Sequence, residues 1–424
     1  MKLNHQRALL LFTLVFLVAL SATRPALAQD SKAIIDALVK KGILTNDEAA
    51  KIATEVKNAE SAASVSTGGS KFIRKMALQA RLQSQFVNLD TTIAGAAAQP
   101  AATNHFLIRR LYLGVKPEFT ENWSGNFNYD FANLGFDAAY IEWKQSPLLV
   151  VDAGLRKVPF GYDETTSSGA LRAIERSPTT RYFVESNNGR RLGAGSYHVG
   201  LFAGGMSHGF FYSGAVTNPE REEFSTGDST SNATPGVNTV GSKANNNFAV
   251  WSQLGYGGQI GKVSFKVGFE GGLVRDQGGK VPGAGDDLRV YSAFADAQIG
   301  ALNVQGAWLG AANEHGVSVT QNANPRGFWI MPSYKLGRIE GVVRYSYIDT
   351  DHRGIDLSDG IRSAPSGGTM NKLSELFFGA NCYLNGNDTK LQIGYVRAES
   401  KETVTGASAK ASTEGIRSQM QINF

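Results

Sequence analysis

Arg172 and Arg176 stand four residues apart in the run Ala170-Leu171-Arg172-Ala173-Ile174-Glu175-Arg176. On a helix that spacing puts both guanidinium groups on one side, while Leu171 and Ile174 share another. Ser167 or Ser168 would cap such a helix. Arginine binds carboxylate or phosphate oxygens through parallel N–H donors and does not lose its charge. One such contact at about 4 Å is worth roughly 4 kcal/mol at an effective dielectric near 20. That holds an anion transiently, as conduction requires, because a solute must leave as readily as it enters. The run lies in the connection 158–193, which is neither featureless nor Ser/Gly-rich. Its apolar side would dock on a wall and its arginines would face a constriction. Asp163, Glu164, Glu175 and Glu185 lie in the same connection, and the alternative is that they pair with the arginines and staple the loop.

Covalent chemistry has little to work with. His198 and His208 lie near Ser196 and Ser207, but sequence adjacency is not triad geometry. Six histidines and the single Cys382 show no metal-ligand spacing, so neither a metal, a cofactor nor enzymatic activity is expected. The chain carries 42 Lys+Arg against 37 Asp+Glu; loss of Lys2, Arg7 and Arg24 with a leader leaves 39 against 37. That balance argues against nucleic acid as a partner, and any anion preference must come from where the charges sit.

The elements that would position these residues are strands. The N-terminus has bases at Lys2 and Arg7, an apolar run Ala8–Leu20 and Ala26-Leu27-Ala28 before Gln29, the layout of a cleaved secretory leader. No later apolar stretch is long enough to span a bilayer as a helix. From Lys71 the chain breaks into sixteen segments of alternating polarity: 73–87, 105–117, 123–132, 136–145, 148–157, 194–204, 208–217, 247–258, 262–275, 288–299, 301–311, 326–335, 338–349, 373–384, 388–399 and 413–424. Tight links, near Gly204-Gly205, Gly258, Gly300 and Leu336-Gly337 among others, alternate with long polar ones, as in an outer-membrane barrel; Asn133-Leu134-Gly135 is short where a long loop is due. Val263, Phe265, Val267 and Phe269 would face lipid while Ser264, Lys266, Gly268 and Glu270 line the lumen. In the last segment Met420, Ile422 and Phe424 oppose Arg417, Gln419, Gln421 and Asn423. Tyr112, Trp123, Tyr129, Tyr140, Trp143, Trp329, Tyr334 and Tyr347 lie toward segment ends, where aromatic girdles sit. A lumen of charges and glycines implies a water-filled channel rather than a packed core.

Residues 31–60 differ. Ile34, Ile35, Leu38 and Val39 recur at helical spacing, and Thr45-Asn46-Asp47-Glu48 reads as a capping box opening a second short helix.

The motifs Arg109-Arg110-Leu111-Tyr112-Leu113-Gly114, Asn128-Tyr129-Asp130-Phe131, Phe136-Asp137, Phe160-Gly161, Thr166-Ser167-Ser168 and Glu175-Arg176-Ser177 resemble the phosphate-selective porin O/P family, most densely over residues 75–200. The resemblance implies a sixteen-stranded, homotrimeric outer-membrane porin. It also implies a central anion site with Arg81, Arg109, Arg110 and Arg176 as its basic members and Asp137 as its acidic one. Arg81, Arg110 and Arg176 would supply the attractive field, with Arg109 and Arg172 secondary. The chain departs from the pattern at Glu164, where phosphate-specific members carry lysine, reversing a charge. Alternation alone puts Arg110 inside and Arg109 toward lipid; both reach the lumen only if the strand bulges.

The expectation is therefore an all-β, 16-stranded antiparallel transmembrane β-barrel with an N-terminal short helical periplasmic segment. Residues 1–28 would be a signal peptide, 29–70 the amphipathic helices and linker, and 71–424 the barrel, set in the outer-membrane lipid of a Gram-negative-type bacterium. It would pass small anions, phosphate among them, through a constriction of Arg81, Arg109, Arg110, Asp137, Glu164, Arg172 and Arg176. The alternative is a general porin for small hydrophilic solutes.

Overall fold

The computed structural model describes residues 72–219, 248–275, 286–403 and 409–424. The expected leader and helical segment lie outside these residues. Seventeen strands form one antiparallel sheet among the described residues. They are β1 (Lys75–Ile93), β2 (Thr103–Glu118), β3 (Trp123–Asp130), β4 (Gly135–Ser146), β5 (Leu149–Lys157), β6 (Tyr197–Ser207), β7 (Phe210–Thr217), β8 (Ala249–Ile260), β9 (Val263–Val274), β10 (Leu288–Ile299), β11 (Leu302–Ser318), β12 (Gln321–Ala323), β13 (Arg326–Leu336), β14 (Ile339–Asp349), β15 (Lys372–Asn385), β16 (Thr389–Lys401) and β17 (Lys410–Asn423). β12 only caps the β11–β13 hairpin, since β11 also pairs directly with β13 from Leu302↔Tyr334 to Gly310↔Arg326. The wall therefore has sixteen strands, each matching one expected segment. It closes where β1 pairs with β17, from Arg81↔Asn423 to Ile93↔Ala411. Closure satisfies the backbone around the wall except along Thr103–Arg110 of β2, which pairs with β1 but has no strand on its other side among the described residues, and a closed sheet is what crossing lipid requires.

The faces fall as alternation requires. On β17, Arg417, Gln419 and Gln421 are buried in the lumen while Met420, Ile422 and Phe424 are exposed. On β9, Phe269 points out and Glu270 is buried. The girdle expectation holds for Trp123 and Tyr334, which are exposed, and fails for Tyr112 and Trp329, which are buried on the lumen side of β2 and β13.

Two turns sit later than expected. β8 runs to Ile260 and turns at Gly261, and β6 runs through Gly204-Gly205 to turn at His208-Gly209. His208 and Gly209 both have positive φ (48° and 87°), the backbone of a tight hairpin turn. Gly205 lies inside the strand, and its glycine is required by close approach rather than by a turn, since a Cβ there would lie 2.1 Å from the Leu148 carbonyl oxygen.

The lumen is not simply water-filled. Two connections on the long-loop side fold into it. The first, 158–196, carries α1 (Tyr162–Thr165) and α2 (Pro178–Val184). The second, 350–371, was expected to be a polar outer loop but carries α3 (Leu357–Gly360), held by a capping box between Asp356 and Asp359 and by an Ile355↔Met370 bridge. Phe160, Tyr182, Phe183 and Val184 of the first loop and Ile355, Leu357 and Ile361 of the second pack with Val87, Leu89, Leu373 and Val396 of the wall into one apolar core. Those wall residues lie in the long-loop halves of their strands, so the inward face turns apolar where the loops dock.

Candidate functional site

The 158–196 loop crosses the lumen and is fixed at both walls. Near its start, the Gly161 N–H donates to Glu270 of β9 (2.8 Å) and the Tyr162 hydroxyl to Asp296 of β10 (2.6 Å). On the far side Arg172 Nε donates to Glu340 of β14 at 2.9 Å. Backbone carbonyls of the intervening stretch accept from wall side chains: Leu171 from Lys390 (2.8 Å), Arg172 from Gln392 (3.1 Å) and Asn381 (2.9 Å), Gly169 from Gln421 (3.0 Å) and Ser168 from Gln83 (3.2 Å).

These bonds explain why the expected helix over Leu171–Arg176 does not form. The carbonyls that would accept from N–H groups one turn later accept from the wall instead, and 167–177 is a string of turns and bends. Helix forms on either side, α2 starting after Ser177, whose side chain accepts from the Thr180 N–H. Arg172 and Arg176 accordingly do not share a face. Arg172 goes to Glu340, whereas Arg176 bonds Glu164 (2.8 Å) and the backbone carbonyls of Asp163 and Glu164.

Both arginines of the β2 pair do reach the lumen, through a bulge. In the β1–β2 register Gln83 faces Arg110 and Ser84 faces Ile108, leaving Arg109 as the extra residue. Arg109 and Arg110 are both buried, while Ile108 and Leu111 on either side are exposed. A second bulge does the same for Asp137: Asn128 faces Ala138 and Tyr129 faces Phe136, so Asp137 is the unpaired residue of β4. It accepts from Asn128 (3.1 Å) and from the Tyr197 hydroxyl. Bulges turn a side chain out of the alternation at the cost of one ladder position.

Between this wall and the loop lies a cavity of about 310 Å³. Arg109, Arg110, Lys157, Arg176, Arg191 and Arg362 line it together with Asp130, Asp137, Glu164 and Glu185. Of the seven residues expected at the constriction, five meet here: Arg109, Arg110, Asp137, Glu164 and Arg176. Arg81 and Arg172 do not line the cavity. Arg81 instead bonds Ser168 (2.6 Å), Ser167 (3.3 Å) and Asn423 (2.8 Å), tying the loop to β1 and β17.

Most of the lining cations are matched. Arg109 Nε meets Glu175 at 2.7 Å, Lys157 meets Glu164 at 3.0 Å, and Arg191 meets Glu185 at 3.4 Å. The acid at the lysine position of the resemblance is thus neutralised from two sides, by Lys157 and Arg176. Burial works against the charge of Glu175, but Arg109 and Arg362 outweigh it and hold the carboxyl well below its usual range. Burial likewise opposes the charge on Glu185, yet Arg181 and Arg362 bring its pKa down. Arg176 is pushed up, burial being overcome by Glu164 and Asp163. Arg110 differs: its guanidinium donates to the Gln83 side-chain oxygen at 2.7 Å, and among the described residues no carboxylate pairs with it.

Lys157, Arg191 and Arg362 were missed from sequence. Lys157 immediately precedes the recognised loop and Arg191 lies near its end, and their signal was charge at its two ends. Arg362 belongs to a connection with no motif and carried none. The serine–histidine neighbours set aside in the sequence form no triad among the described residues: the His198 ring nitrogens lie 2.8 and 3.1 Å from the backbone oxygens of Asn218 and Gly195, and Ser207 and His208 meet in an exposed turn.

A family model described as phosphate-selective porin O and P matches residues 76–424. The chain belongs to that family. No curated protein matches the sequence. Among solved structures it is similar to the anion-selective porin from Comamonas acidovorans, at 12% identity and a TM-score of 0.55, with 82% of this chain and 99% of that one covered. It is also similar to Salmonella typhi OmpF, solved with daunomycin, at 10% identity and a TM-score of 0.51, covering 85% and 100%. Identities this low establish the shared barrel fold. Family and fold together make the protein an outer-membrane porin and point to a channel rather than an enzyme.

Proposed function

We propose that this porin passes small anions down their gradient and that the rate-setting attraction is exerted in the cavity beside the 158–196 loop. The observation that carries the reading is Arg110, a buried cation at the cavity with no carboxylate partner among the described residues. An unmatched guanidinium in a confined site is the group that gains most from a passing anion, because its neighbours already have their counter-charge in place. Phosphate fits the fork geometry and the family's description, and is the first solute to try. Arg81 and Arg172 serve this reading indirectly, by holding the loop that forms the cavity floor.

The general-porin reading has one observation in its favour, the four carboxylates Asp130, Asp137, Glu164 and Glu185 in the same lining. Reversal potential in a planar bilayer under a KCl gradient separates the two. Anion preference with conductance blocked by added phosphate is expected; weak or cation-leaning selectivity without block would establish the general porin. We also propose that the protein assembles as a homotrimer, supported by the apolar, partly unpaired edge at β2 described below.

A further inference from the structure

The second inward loop contributes a cation that no motif of the first loop or of the β2 wall predicts. Arg362 projects from 350–371 into the cavity that holds Arg109, Arg110 and Arg176. Its guanidinium lies 2.5 Å from Glu185 and 3.4 Å from Glu175, bridging two carboxylates of the other loop. Its position is built, not incidental. Ile355, Leu357 and Ile361 anchor the loop in the lumen core, the Gly360 carbonyl accepts from Arg181 at 2.9 Å, and the Arg362 carbonyl accepts from Arg417 of β17.

The two carboxylates do not depend on Arg362 alone. Glu175 keeps Arg109 at 2.7 Å, and Glu185 keeps Arg181 at 3.0 Å and Arg191 at 3.4 Å. Removing the Arg362 charge would therefore leave both ionised and subtract one positive charge from the cavity. Six cations line the cavity against four carboxylates, and Glu175 pairs with two of those cations, so the set carries one net positive charge and that subtraction removes it. Burial and the nearby Arg181 push the Arg362 guanidinium down to about 9, which still leaves it charged at neutral pH.

We infer that Arg362 is a specificity-determining residue of the channel: the 350–371 loop delivers it to the anion cavity, where it offsets Glu185 and Glu175 and keeps the local field positive. The inference rests on the proposed anion cavity, but it predicts a difference between variants rather than the sign of the wild type. The two can therefore fail separately.

The test compares wild type, Arg362→Gln, Arg362→Lys and Arg353→Gln, each reconstituted in planar bilayers and read by reversal potential under a KCl gradient and by single-channel conductance. Arg353 is the control for loop support, because it holds the same loop by donating to the carbonyls of Arg190 and Gly316, both at 2.9 Å, and does not line the cavity. Arg362→Gln should lower the chloride-to-potassium permeability ratio about threefold, in line with one charge removed from a confined site. Arg362→Lys should restore most of it, and Arg353→Gln should leave it unchanged. If Arg362→Gln leaves the ratio at the wild-type value, or Arg362→Lys fails to rescue it, Arg362 is only a staple and the inference is overturned. If the wild type itself shows no anion preference, the anion reading fails, while a further cationward shift in Arg362→Gln would still uphold the role of Arg362.

Discussion

At the scale of single residues, what matters is which charges have counter-charges. The sequence named five of the cavity's residues and raised the alternative that loop acids staple the arginines, but it did not decide between the readings, because which wall side chains reach the lumen depends on two β-bulges that exist only in the register between strands. Arg109 and Asp137 are the extra residues of those bulges, and strict alternation would have sent Arg109 toward lipid. With the pairing known, Arg110→Ala should lower the chloride-to-potassium ratio about fivefold or more, since it removes the unmatched cation. Lys335→Ala, at an exposed position of β13 away from the cavity, should change it little; equal effects would remove the idea of a localised site. Glu164→Gln should act oppositely. It frees Lys157 and Arg176 of their shared carboxylate, while Arg176 keeps the carbonyls of Asp163, Glu164 and Thr166. Anion preference should rise, and a fall would mean that Glu164 serves to place the cations rather than to cancel them.

Acidification tests the same pairs. Glu175 and Glu185 have folded pKa values below the ordinary carboxylate range, so their stabilisation is in full force above that range and disappears only as pH falls through the depressed values. Reversal potential and conductance should therefore stay constant from pH 7 down to about pH 5, with the loop loosening only well below the usual carboxylate pKa near 4. Loss of selectivity already between about pH 6 and 5 would place a differently titrating group at the constriction.

At the scale of elements, the strands were legible and the loops only in part. A period of two, repeated along segments of about ten residues, survives any uncertainty over partners, so all sixteen wall strands could be located. The amphipathic pattern of 158–193 pointed it into the lumen, where it lies, but its expected central helix gave way to bonds from Lys390, Gln392, Asn381 and Gln421, residues far along the chain. The second inward loop went unrecognised because Ile355 and Leu357 stand at strand spacing and Leu357 and Ile361 at helical spacing, a mixed run too short for either period to register. Loop anchoring should be measurable at Glu340, which takes bonds from Arg172, Ser333, Asn381 and Tyr383. Glu340→Ala leaves these donors stranded, costs about 3 kcal/mol by analogy with broken buried ion pairs, and should release the far end of the loop. Larger and noisier single-channel conductance is expected; an unchanged trace would show that the carbonyl bonds to Lys390 and Gln392 suffice.

At the scale of the whole molecule, the barrel is uneven around its rim. The β3–β4 hairpin is short, and β3 pairs with β2 only from Tyr112↔Asp130 toward the opposite end. The part of β2 from Thr103 to Arg110 thus has β1 on one side and, among the described residues, no strand on the other. Phe106, Ile108, Phe131 and Leu134 are exposed beside that edge, and Phe106 packs against Phe86 with ring centroids 4.9 Å apart. A row of open backbone groups flanked by apolar side chains is an invitation to association, and in or near lipid each unmatched group costs several kcal/mol. Ordinary lipid contact would satisfy the aromatics but not the backbone, so a neighbouring copy is the better cover. The proposed homotrimer should therefore be held in part by this edge. Replacing Ile108 with lysine puts a charge into the contact without touching the inward face, where Arg109 and Arg110 reside. Light scattering in mild detergent should then show a trimer for the wild type and monomer for Ile108→Lys, with heat-modifiable gel mobility showing that the variant barrel remains folded. A folded Ile108→Lys trimer would move the interface elsewhere on the wall, and a monomeric wild type would remove the trimer altogether.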